Sequence, residues 1–270
     1  MTPSPRLPVL PALALAGILT ALAAKAGTAQ SAEAAPWLER CGQLVLVVTE
    51  RWESEGGVLV RLERTPNGWR ELGRAAATVG RKGMGLGLGL HPEGLPGPLK
   101  EEGDRRAPAG VFRLEFAFGA APLAPRAFPY RRTTGADLWV DDPRSVHYNR
   151  WIVAGDPSVR PDWGSAEVLR RGDGLYDYAV SIAHNREAIV PGRGSAIFLH
   201  AWSAPGRPTI GCTALEKARV RELVEWLDEA REPVLVQGPR GLLPRLGLPQ
   251  ELLAFAETTA RQSAKGGKGR

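Results

Sequence analysis

The sequence predicts a mostly β domain with flanking helices, an α+β arrangement. Three observations carry this. Short apolar or alternating runs recur along the chain, Gly 32 and Pro 23 among 270 residues supply frequent turns, and helical periodicity is confined to the C-terminal third. Hydrophobic residues at 43% and charged residues at 24% suit one large globular domain. They exclude wholesale disorder and a polytopic membrane protein.

The elements follow in order. Residues 1–26 read as a secretory leader: Arg6 gives a positive start, Val9–Ala24 is apolar, and Ala24-Lys25-Ala26 offers a cleavage point. Ala32-Glu33-Ala34 would place cleavage as late as 34. The apolar run is short for a span, which needs about 20 residues. The expectation is export to the periplasm or cell envelope, with no stable membrane insertion after cleavage; an uncleaved anchor is the alternative. Gln43–Thr49 is a continuous apolar run, as in a buried strand, and Val58, Val60 and Leu62 alternate as in a half-buried one. Pro66-Asn67-Gly68 marks a turn, and Ala75–Val79 forms a further strand.

Residues 83–110 are rich in Gly and Pro and read as a long irregular loop. The alternating glycines lack the Lys-Ser/Thr of a phosphate loop and the strand–helix setting of a dinucleotide fingerprint. Val111–Phe118, Tyr176–Ala183 and Ala196–Trp202 read as strands, and Pro233–Gln237 as the closing one. Val220, Leu223, Val224 and Leu227 mark one face of a helix within Thr213–Ala230. A C-terminal extension, 238–260, carries a second amphipathic helix at about Pro249–Ala260, and a basic tail, 261–270, is expected to be disordered.

The net charge of +6 arises at the two ends: Arg6 and Lys25 in residues 1–26, and Arg261, Lys265, Lys268 and Arg270 in the last ten, with no acid in either stretch. The body is neutral, so bulk charge gives a nucleic-acid partner no support. His91, His147 and His184 are scattered and no zinc spacing occurs, so neither a metal nor another cofactor is expected. Of the two cysteines, Cys41 sits in WLERCGQ ahead of a strand, where packing is its expected role. A disulfide to Cys212 stays open in an oxidising compartment.

Cys212 has a richer setting, SAIFLHAWSAPGRPTIGCTALE at 195–216. Thr213 and Glu216 form a capping-box pattern ahead of the amphipathic helix. With Thr213 as N-cap, the thiol lies at the positive end of the helix dipole, where thiolate is favoured. Gly211 permits a tight turn whose amides face an oxyanion. His200 ends a strand twelve positions earlier, and a strand–loop–helix path returns it to Cys212 as general base. Taken singly, a cysteine before a helix is as readily a small buried residue, and a strand-terminal histidine a polar cap. Their combination in an exported chain points to catalysis.

Thr209-Ile210-Gly211-Cys212, with His200 upstream, resembles the catalytic motif of the L,D-transpeptidases, the YkuD-type family. GRKGMG at 80–85, EEGDRRAPAGVFRL at 101–114, WVDDPRSVHYN at 139–149 and PGRGSAIFLHAW at 191–202 resemble family segments in family order. The resemblance implies a β-sandwich-like catalytic domain over 43–237, with the active-site cysteine at a helix N-terminus. It implies acyl transfer on peptidoglycan stem peptides: Cys212 attacks, His200 moves the proton, the terminal D-residue leaves, and an amine resolves the thioester into a cross-link. Many members carry an arginine two positions after the cysteine, where this chain has Ala214; Arg207 is the candidate substitute. Thr209, Trp202, Tyr148 and Asn149 complete the expected substrate-binding set. Hydrolysis at the same site, as an L,D-carboxypeptidase or amidase, is the nearest alternative, and a non-catalytic wall-binding module is the alternative from another class. The surroundings of a papain-like cysteine are absent.

Overall fold

A computed structural model describes residues 35–257 together with Met1. The expected leader, Met1 aside, and the expected tail at 261–270 lie outside the described residues. After a short helix α1 (Pro36–Arg40) come β1 (Gln43–Thr49), β2 (Gly56–Thr65) and β3 (Gly68–Thr78). They pair antiparallel in a meander, β1 with β2 and β2 with β3. β3 starts at the predicted turn and takes in the strand expected at Ala75–Val79. Next come β4 (Met84–Leu86), β5 (Ala107–Gly119), β6 (Tyr130–Arg132), β7 (Asp137–Val140), β8 (Trp151–Val153) and β9 (Ala166–Val168). The chain closes with β10 (Ala179–Ile182), β11 (Phe198–Ala201), β12 (Thr213–Leu215), α2 (Lys217–Trp226) and β13 (Val234–Pro239), and is helical again at 250–257.

Ten strands form one sheet in the order β10-β11-β12-β3-β2-β1-β13-β5-β4, with β6 on β5. β10 also pairs with β5, so the sheet returns on itself. The expected sandwich is thus replaced by a barrel-like closed sheet, which satisfies edges that a sandwich leaves open. β5 makes this possible: at thirteen residues it pairs with β13, β10, β4 and β6 along its length. β7, β8 and β9 form a separate three-stranded sheet.

Every residue of β1 is buried, as its unbroken apolar run requires, because it lies between β2 and β13 with α2 and the C-terminal helix adding to the same core. α2 buries Val220, Leu223 and Val224, the predicted face, each contributing about 1.5–3 kcal/mol. The glycine-rich stretch is partly strand. Gly85, Gly87 and Gly89 turn inward, where a Cβ on Gly87 or Gly89 would meet the Phe112 ring, and on Gly87 also His184. That close approach explains the alternation better than any phosphate loop. Among the described residues no helix is long and apolar enough to cross a membrane.

Candidate active site

The expected placement of Cys212 at a helix N-terminus is not what the fold provides. Thr213–Leu215 is the strand β12, paired parallel with β11 (Leu199 with Thr213, His200 with Ala214). The helix starts only at Lys217, after Glu216, which makes no side-chain cap. Thr213 is buried and donates its hydroxyl hydrogen to Gln237 Oε1 at 2.7 Å, and Gln237 Nε2 donates to the Pro108 carbonyl at 2.6 Å. Strand pairing and this buried relay override the local capping pattern. The dipole, which fades within one turn, does not act on the thiol.

The same register puts Cys212 and His200 on one face of the sheet. Paired residues of neighbouring strands project to one face, as do residues two apart on a strand. Phe198, His200, Cys212 and Ala214 therefore share a face, with His200 and Cys212 as diagonal neighbours. Cys212 is 8% exposed and His200 6%, and both line one cleft of about 580 Å³. The Phe198 N–H donates to Cys212 Sγ at 3.4 Å and the thiol lies 3.4 Å from the Ala196 carbonyl. Both cysteines are free, and the Cys41 thiol is buried against the Gln43 carbonyl at 3.2 Å.

His200 Nδ1 lies 2.7 Å from the Ala201 carbonyl. A carbonyl only accepts, so Nδ1 carries the hydrogen and Nε2 keeps its lone pair. The Tyr176 ring meets the imidazole edge-on, centroids 5.1 Å apart. The Tyr176 hydroxyl donates to Glu167 Oε1 at 3.0 Å, and the same oxygen accepts from Arg171 Nη1 at 2.9 Å. Phe118, Phe198, Tyr176 and Trp139 pack with Cys212 in a small aromatic core.

This environment sets the protonation states. Burial first, and then the Glu167 carboxylate, push the Cys212 thiol up to about 12, against smaller pulls from the Phe198 N–H, Lys100 and Arg171. Burial holds His200 down at about 4, with the Ala201 carbonyl opposing. At rest the thiol and the imidazole are both neutral, the reverse of the thiolate that a helix dipole would give.

The remaining expected residues divide. Trp202, Arg207, Thr209 and Gly211 line the cleft. Thr209 fixes the turn: its hydroxyl donates to the Cys212 carbonyl at 2.6 Å and accepts from the Gly211 N–H at 3.1 Å. Gly211, at φ 153°, holds a backbone that disfavours other residues. Its amide is engaged by Thr209; at this turn the Cys212 amide has no acceptor among the described residues. Tyr148 and Asn149 are buried and lie outside the cleft lining. Asn149 Oδ1 accepts from Trp139 Nε1 at 2.8 Å, and its Nδ2 donates to the Asn185 carbonyl at 2.7 Å. The Tyr148 hydroxyl donates to Glu102 at 2.5 Å, and Ser195 donates to the same oxygen at 2.6 Å. These two residues brace the wall. Ala214 is buried opposite His200.

The residues that sequence reasoning missed are Tyr176, Glu167, Arg171, Lys100 and Glu102. Glu167 and Arg171 come from the small sheet and the turn after it, far in sequence from the cysteine motif, and no spacing ties them to it. Lys100, 3% exposed, donates to Asp104 at 2.7 Å and to the Glu101 carbonyl at 2.5 Å. Among the described residues no group of three or more His, Cys, Asp or Glu side chains is arranged to hold a metal.

A thiol and a tautomer-fixed imidazole lining one cleft are the two groups that a cysteine acyl transfer needs. The L,D-transpeptidase catalytic domain family, YkuD, matches residues 59–236, about two thirds of the chain, and the protein belongs to that family. Members act on peptidoglycan by cysteine chemistry. No curated protein matches the chain. One solved structure, that of Bdellovibrio bacteriovorus Bd1075, is similar at 15% identity and a TM-score of 0.36, over 80% of this chain. The chain spans 56% of that protein's length.

Proposed function

We propose that the protein is an exported cysteine L,D-transpeptidase that cross-links peptidoglycan stem peptides through a Cys212 thioester. The observation that carries this reading is that Cys212 and His200 line one cleft in a chain of this family. Export rests on the leader pattern at 1–26.

The reaction follows from the protonation states. The donor carbonyl enters above Sγ, the S–C bond forms, and the thiol proton passes to His200 Nε2, which the Ala201 carbonyl keeps in the accepting tautomer. The unengaged Cys212 amide stabilises the developing oxyanion. The C–N bond breaks as Nε2 returns its proton to the leaving amine. An amine of a second stem then attacks the thioester, loses a proton to His200, and displaces the sulfur, which takes that proton from His200 to restore the resting thiol. Because the thiol is neutral at rest, the cleft avoids holding a nucleophile that oxidants or stray electrophiles would consume.

Mass spectrometry of muropeptides after incubation with the protein tests this. Cross-linked dimers, absent with Cys212→Ala, are the expected result. Trimmed monomers alone would replace transfer by hydrolysis, and no change with a folded protein would point to a wall-binding module.

A further inference from the structure

The charges of the cleft are arranged unevenly. Glu102, Asp141 and Glu167 stand on its walls. Two of its four basic side chains are already paired: Lys100 with Asp104, and Arg171 with Asp173 and Glu167. The other two, Arg81 and Arg207, have no side-chain partner among the described residues. Both border the loop that carries Cys212.

Arg81 differs from Arg207 in how it is held. It occupies the corner of a turn closed by the Gly83 N–H on the Gly80 carbonyl at 2.7 Å. Gly83, at φ 75°, takes the left-handed conformation the turn needs, and Gly80 lies so close to the backbone of Arg105 that a Cβ there would collide with it. The Thr209 N–H donates to the Val79 carbonyl at 2.9 Å and the Arg81 N–H to the Thr209 carbonyl at 2.9 Å. The turn is thereby fastened to the residue that fixes the Cys212 backbone. Arg207 instead sits in the exposed run 203–207. A guanidinium whose backbone is already placed loses less entropy on binding a planar anion, and its fork matches a carboxylate.

We propose that Arg81 is the specificity-determining residue that reads the free terminal carboxylate of the donor peptide, placing the leaving residue at the basic lip and the scissile carbonyl over Cys212. This rests on the stem-peptide reading above, since that donor ends in a carboxylate. The acidic walls reinforce it by repelling the same group from every other position in the cleft.

Binding of a tetrapeptide stem and of its C-terminal carboxamide to the Cys212→Ala protein, by calorimetry, tests the inference without requiring turnover. The acid should bind about 10- to 100-fold more tightly than the amide, the range for charge-assisted hydrogen bonds. In Cys212→Ala/Arg81→Gln that preference should vanish, Arg81→Lys should restore part of it, and Arg207→Gln should leave most of it. Equal binding of acid and amide to the Cys212→Ala protein would overturn the inference, as would a preference that survives Arg81→Gln or one lost through Arg207→Gln alone. Thioester formation on the Cys212 protein is read separately: its failure alongside a retained, Arg81-dependent acid preference would reject the chemistry and keep the recognition.

Discussion

Alkylation of Cys212 as a function of pH separates the structure's nucleophile from a dipole-activated one. At pH 7 a thiol held at about 12 is ionised in about one molecule in 10⁵, whereas an unperturbed thiol near 8.5 is ionised in about 3%, a difference of roughly 3,000-fold. The assay is iodoacetamide labelling of a Cys41→Ser background, so that one thiol reports. The rate should climb by about a decade per pH unit from roughly pH 6 to 9 without levelling, because thiolate is the reacting form throughout. Glu167→Gln should speed labelling at every pH in that range, since the carboxylate is the largest charge effect raising the thiol. A plateau below about pH 8, or a rate at pH 7 within tenfold of free cysteine, would refute the neutral resting pair and the proton transfer built on it.

Further outcomes follow from the same geometry. Thr209→Val removes both hydrogen bonds of the cysteine turn and should cost about 1–3 kcal/mol in urea unfolding, with a larger fractional loss in thioester formation than in stability. Gly80→Ala forces the turn off the Arg105 backbone and should lower the midpoint of thermal unfolding. Acid should destabilise the fold early: burial holds His200 at about 4 and His184 at about 3, so the unfolded chain binds more protons below about pH 6.5. Stability should therefore fall as pH drops through that window, by about 1.4 kcal/mol per pH unit for each histidine, and hold steady above it, as denaturant titrations at pH 7, 6 and 5 would show.

Much of the fold was legible because it is written in local periodicity. The face of α2 and the buried run of β1 follow from spacing alone. The strand at Thr213–Leu215 was not, because T-x-x-E is a helix-start signal and only the pairing of Leu199 with Thr213 and Ala214 with Thr78 decides against it. In the site, Cys212 and His200 stood out as residue types, while their protonation states depended on an aromatic enclosure assembled from distant strands. Tyr148 and Asn149 sit in a segment that resembles the family yet brace the wall from below. Their polar groups are satisfied by Glu102, Trp139 and Asn185, which no one-dimensional pattern reveals.

Within the barrel β12 meets β3 through a single register pair, Ala214 with Thr78, whereas β12 holds β11 through three. The joint beside Cys212 thus has the fewest ladder pairs in the ring, and the Thr209–Val79 and Arg81–Thr209 backbone bonds extend it on one side only. Thermal fluctuation will part the barrel there before it parts anywhere between β1, β2 and β13, and hydrogen exchange will mark that joint first. A sulfur set next to such a short joint needs only a small local yielding to gain room for a tetrahedral adduct, while the rest of the wall keeps its shape.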